Sequence, residues 1–196
     1  MKYIKPLFYL LGFLLVFVSC EKEKNSIEDN KENNDSENEI NGETVFKAEL
    51  SYEGDVFSFN LTGDELPDKV TFLSNQLYFK ATNNQQQVLQ IKLAGPDLYN
   101  STSGIFRAIP GLPYAIEENL ASITFYDPTE QPLTNASTKY IIDNEVVVSK
   151  LTENLIIVAY DGDAITGAQL NNTDEGRFNF SLEVNYSNFE IQDMRP

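Results

Sequence analysis

Two kinds of side chain in this 196-residue chain could do chemistry: a single thiol and a surplus of carboxylates. Histidine is absent, which excludes Ser-His-Asp and Cys-His catalysis and the imidazole ligands that usually hold zinc or iron. The thiol, Cys20, follows Lys2, Lys5, an apolar run over residues 7–18, and Ser19. A basic start, a short apolar stretch and a small residue before the cut are the parts of a secretory signal over residues 1–19. The run falls short of the roughly 20 residues that a membrane-spanning helix needs.

Among the carboxylates, Asp161 and Asp163 flank Gly162, and Asn171, Asn172, Asp174 and Glu175 follow closely. Hard oxygen donors converging from two loops suit calcium, so Asp161, Asp163 and Asp174 are its candidate ligands. The fuller Asp-x-Asp-x-Asp-Gly loop is absent. In so acidic a chain clustered carboxylates are the default, and the expectation is solvated turn chemistry, with calcium the alternative. A glycosidase needs two carboxylates roughly 5–10 Å apart across a cleft. With this many acids some pair always meets that spacing, and a pair such as Glu117 and Asp127 is not singled out. Gly162, Gly167 and Gly176 lack the spacing of a phosphate-binding loop, and no tryptophan offers a sugar-stacking platform. No catalytic or cofactor-binding residue is expected.

Whatever these groups do must be positioned by strands. Phe46, Ala48 and Leu50 alternate with polar neighbours, as do Phe57, Phe59 and Leu61; Leu77, Phe79 and Ala81; and Leu89, Ile91 and Leu93. Phe178, Phe180, Leu182 and Val184 form the clearest such run. Period-two alternation marks strands with one face in the core and one in water. Residues 145–148 and 155–160 are apolar on both faces and read as central strands joined by a hairpin connection. Turn chemistry falls at residues 53–55, 62–64, 83–84, 95–97, 127–128 and 161–163. Residues 117–120 could make a single helical turn. The resulting expectation is an all-β fold, an antiparallel β-sandwich or barrel-like sheet of about eight to ten strands. Residues 105–114 mix large apolar groups with Arg107, Pro110 and Pro113. They predict either a partner-binding loop, if the aromatics are exposed, or a proline-shaped loop folded back over the core.

Charge divides the chain further. The formal net charge of −16 becomes −18 once Lys2 and Lys5 leave with residues 1–19. Residues 21–43 hold nine acidic and three basic residues and only two apolar ones, Ile27 and Ile40. Such a segment cannot offset the entropy of ordering, so residues 20–43 read as a disordered tether and 44–196 as one folded domain. A coil of this length reaches about 25–30 Å on average. So acidic a domain is repelled by nucleic acid and by anionic lipid, which leaves no nucleic-acid partner and no basic membrane-binding face.

The residues around Cys20 resemble the lipobox of bacterial lipoproteins, with Phe17 and Val18 looser than the usual pattern. The resemblance implies cleavage before Cys20 and its conversion to a diacylglyceryl thioether. Glu21 and Glu23, close behind, resemble the surface-export tags of Bacteroidota lipoproteins. The whole layout resembles the small β-rich lipoproteins of unknown function in that phylum: Ser19-Cys20, an acidic linker, a first strand at residues 46–50, then hairpins. Residues 155–167 followed by Gly176-Arg177-Phe178-Asn179-Phe180 give the most specific local match. The resemblance implies an antiparallel sandwich, lipid-anchored in the outer membrane and surface-exposed, or facing the periplasm as the alternative. It carries over no site residues. The expected function is a non-catalytic binding or accessory module with a protein or glycan partner. The alternatives are a carboxylate-dependent carbohydrate-active hydrolase and a purely structural envelope component.

Overall fold

The computed structural model describes residues 43–63, 67–129, 138–171 and 176–196; Cys20, the acidic stretch to residue 42 and Asp174 lie outside them. The chain forms β1 (Val45–Tyr52), β2 (Asp55–Thr62), β3 (Val70–Phe72), β4 (Gln76–Thr82), β5 (Val88–Ala94) and β6 (Gly104–Ala108). It continues through β7 (Leu120–Tyr126), β8 (Thr138–Ile142), β9 (Glu145–Leu151), β10 (Leu155–Thr166), β11 (Phe178–Ser187) and β12 (Ile191–Asp193). Hydrogen bonding joins them in the order β12-β3-β4-β5-β7-β6-β9-β10-β11-β1-β2, with β8 bridging β7 and β10. Ring contacts show that the sheet doubles back on itself. Phe79 on β4 lies 6.1 Å from Phe46 on β1 and 5.4 Å from Tyr186 on β11. Phe57 on β2 lies 4.9 Å from Phe125 on β7.

The all-β expectation holds, and the period-two residues are the ones that face inward. Phe46, Ala48, Leu50, Phe59, Leu61, Leu77, Phe79, Leu89, Ile91, Phe180 and Leu182 are all buried. The β1–β2 turn also follows the sequence. Glu53 and Gly54 have φ of 48° and 93°, the left-handed pair of a two-residue hairpin turn between Tyr52 and Asp55.

Four details differ from expectation. There are twelve strands rather than eight to ten, and the sheet is mixed: β12 runs parallel to β3, and β6 runs parallel to β7. Residues 109–119 carry Pro110 and Pro113 between β6 and β7, and the chain crosses over instead of turning back as a hairpin. Residues 117–119 form no helical turn, and Leu120 opens β7. β9 and β10 are internal in the strand order but one face of each is open, since Val147 remains 45% exposed.

The fourth difference bears on the candidate calcium ligands. Asp161, Gly162 and Asp163 lie inside β10, not in a turn. β8 and β9 lie end to end along one edge of β10, with Ile142 opposite Asp163 and Val146 opposite Tyr160. Three residues, 143–145, therefore face two, an extra-residue bulge marked by φ of 63° at Asp143. The Asn144 side chain bridges the break, its Nδ2 donating to the Asp161 carbonyl at 3.1 Å. A Cβ on residue 162 would sit 2.2 Å from that nitrogen and 2.8 Å from the Asn144 Cβ. Glycine is there because another side chain needs its space.

Candidate functional site

The register of six strands lines up Ile105, Val147, Ala159, Glu183, Glu49 and Ser58 in one row across the outer face, from β6 to β2. All six alternate with core residues, so the strand pleat that buries their neighbours turns them toward solvent. Two open cavities of about 760 and 520 Å³ flank this row and share Glu49, Ala159 and Glu183. The larger is walled by Asp143, Glu145 and Asp161 and floored in part by Val147 and Ala159, with the Ser51 and Ser181 hydroxyls opposite. The smaller adds Lys47, Ile157, Asn60 and Asn185. The result is an acidic trough with an aliphatic floor.

Its charge is predominantly negative, with Lys47 the one cation among the described residues that line the two cavities. Glu49 and Glu183 are directly opposed on β1 and β11, an arrangement in which like charges repel. Asp143 is paired with Arg177 at 2.8 Å. Among the described residues, Glu49, Glu145, Asp161 and Glu183 take part in no ion pair. Arg107 lies opposite Glu145 in the register, yet its guanidinium bonds to Glu118 instead. The two glutamates project side by side from one sheet face.

Of the three calcium candidates the two described ones, Asp161 and Asp163, lie two residues apart on β10 and differ in their surroundings. Asp163 is bound by Arg177 at 3.3 Å, Asp161 faces the trough, and Asp174 lies outside the described residues. Among the described residues no three histidine, cysteine or carboxylate side chains converge as a metal site. Arg177 already supplies the positive charge that would otherwise come from a cation. Millimolar calcium is therefore expected to leave the melting temperature where an ionic-strength control puts it. A rise of several degrees, lost in Asp161→Asn, would reinstate calcium.

Asp127, buried at 4% exposure, accepts from the Gln87 amide at 3.1 Å and from the Thr129 backbone and hydroxyl at 2.9 and 2.7 Å. It ties the β4–β5 turn to the end of β7, a structural task. In the 105–114 segment Phe106 and Ala108 are buried, whereas Ile105 joins the trough row and Tyr114 is fully exposed. Residues 105–108 are thus not a loop but part of β6, an internal strand between β7 and β9, and only residues beyond Ala108, with Pro110 and Pro113, connect it to β7.

No family model matches the chain, and neither the curated proteins nor the solved structures yield a significant match.

Tyr160 lies beneath the trough with its hydroxyl 2.9 Å from the Ile142 carbonyl and 2.6 Å from that of Asp163. Burial raises its pKa well above the ordinary tyrosine value, and burial likewise raises Tyr99 and Tyr186 to about 12. These phenols bind their protons more tightly folded than unfolded. Their contribution is complete below pH 10, the unfolded value, and is lost as pH rises from there through about 12. Tyrosinate absorbance and loss of tertiary structure are therefore expected to change together in that window. Titration of all ten tyrosines near pH 10 with the fold intact would contradict the burial of these three.

Proposed function

We propose that this chain is a lipid-anchored, surface-exposed outer-membrane protein whose β domain is a non-catalytic binding module, with the acidic trough as its binding face. The observation that carries the binding reading is the straight row in which Glu183 and Glu49 meet side by side next to exposed Val147 and Ile105. Such opposition lowers stability and gains nothing for the fold, so it is best explained by what the face contacts. Charge complementarity selects a cationic partner with aliphatic groups, such as a lysine-bearing polypeptide. Placement in the membrane rests on Cys20 and on the resemblance to Bacteroidota lipoproteins; export to the surface rests on Glu21 and Glu23.

The test compares two double variants of equal charge, using a short oligolysine peptide as probe. Glu49→Gln with Glu183→Gln is expected to weaken binding about tenfold. The same pair is expected to raise stability by about 0.5 kcal/mol through relief of the repulsion. Glu53→Gln with Glu117→Gln, away from the trough, should change neither by as much. Equal losses of binding in the two variants would reduce the interaction to net charge and sink the trough as a site.

A further inference from the structure

The two edges of the sheet are unlike each other. The β12 edge is three residues long, carries Asp193, and is followed by Arg195 and Pro196. Shortness, charge and proline are the devices by which natural edges avoid pairing with other chains. The β2 edge is long and free of proline, and its one charge, Asp55, sits at the turn. Its eight residues match β1 one for one, without a bulge, from Asp55 opposite Tyr52 to Thr62 opposite Val45. Residues 56–62 hold no charge and no proline, in a chain with 44 charged residues, 14 basic and 30 acidic.

The direction of its free backbone groups is fixed by the turn. In a two-residue hairpin Tyr52 and Asp55 bond to each other, so residues 55, 57, 59 and 61 address β1. Val56, Ser58, Asn60 and Thr62 then present their N–H and C=O groups to the outside. The Ser58 carbonyl confirms this parity, since its partner is the Asn83 side chain across the edge, at a long 3.4 Å. A cavity of about 400 Å³ runs along this edge between β2 and residues 83–85.

We infer that β2 is a self-association edge, at which two copies of this chain pair antiparallel about a two-fold axis through Phe59. In that register Ser58 faces Asn60 of the second copy and Val56 faces Thr62, and each outward-pointing N–H meets an outward-pointing C=O of the other copy. The Asn60 N–H of the second copy replaces the Asn83 amide on the Ser58 carbonyl. Outside, a hydroxyl meets an amide and two β-branched side chains meet, both favourable cross-strand pairs. The uncharged stretch is the place where two copies, each of net charge −16, can approach most closely. Long-range repulsion still opposes association, so pairing strengthens as salt screens it. This is the reverse of the salt dependence of a cationic ligand in the trough, so failure of one reading leaves the other intact.

The experiment is sedimentation equilibrium of the full chain at low and high salt, with hydrogen exchange at matched concentrations. The expected result is a dimer that tightens with salt, with the Val56, Ser58, Asn60 and Thr62 amides gaining protection as concentration rises. Asn60→Lys should weaken the dimer about tenfold, because a lysine at an edge deters pairing. Asn185→Lys, the same charge change on the same face but two strands inward, should not. Asn60→Pro removes one outward N–H without touching the β1 ladder and should act like the lysine. A monomer at every concentration and salt, or a dimer indifferent to Asn60→Lys, would overturn the inference. So would protection of these amides only on adding a foreign peptide, which would assign the edge to a different strand.

Discussion

Replacing Phe46 with alanine is expected to cost about 3–5 kcal/mol, a large part of the 5–15 kcal/mol that holds a typical domain together. Phe46 is fully buried and stands edge-on to Phe59 at 6.4 Å, Phe79 at 6.1 Å and Tyr186 at 5.2 Å. Those partners come from β2, β4 and β11, so this ring touches strands from both sides of the folded sheet. Alanine would leave a cavity bounded by three rigid rings, which cannot collapse into it as flexible aliphatic chains would. Denaturant unfolding of Phe46→Ala should show a lowered midpoint, and Val56→Ala, at a residue 61% exposed, should stay within about 0.5 kcal/mol of the parent. A Phe46→Ala loss below about 1.5 kcal/mol would mean that the two layers are not joined through this ring.

The strands were legible because burial on one face imposes a local pattern: Phe178, Phe180, Leu182 and Val184 announce β11 without reference to any other strand. Pairing was not legible, since nothing within residues 104–108 states that they run beside residues 120–121 in parallel, and nothing in residues 191–193 points to β3. The turn expected at Asp161-Gly162-Asp163 failed for an instructive reason. Aspartate beside glycine is ordinary turn chemistry, but this glycine answers to Asn144, a residue 18 positions away whose side chain occupies the space of the missing Cβ. The trough was invisible for the same cause. Glu49, Ala159 and Glu183 are each the solvent-facing half of an ordinary alternating strand, and only the registers of β10, β11 and β1 bring them abreast. Had the β1–β11 pairing been known, the opposed glutamates would have been readable as a repulsive pair. The proposed anchor is the opposite case, resting on a purely local pattern in residues 1–20 that needs no tertiary structure to be read.

The proposed placement of the whole molecule rests on that signal, and on this proposal its loss should have an all-or-none effect. Each buried methylene of an acyl chain contributes about 0.8 kcal/mol, and two or three chains hold a protein firmly where one holds it marginally. Among the described residues no basic face substitutes for that contribution. Cleaved as proposed, the chain would have a net charge of −18, from −16 with Lys2 and Lys5 removed, which anionic lipid repels. Among the described residues no helix is long and apolar enough to cross a membrane. The most direct measurement is therefore fractionation of cells producing the parent chain and Cys20→Ala, read by the distribution of the β domain between membrane and soluble fractions. The account predicts a parent confined to membranes and a Cys20→Ala chain recovered in the soluble fraction with its fold intact. A Cys20→Ala chain that stays with the membranes would contradict it.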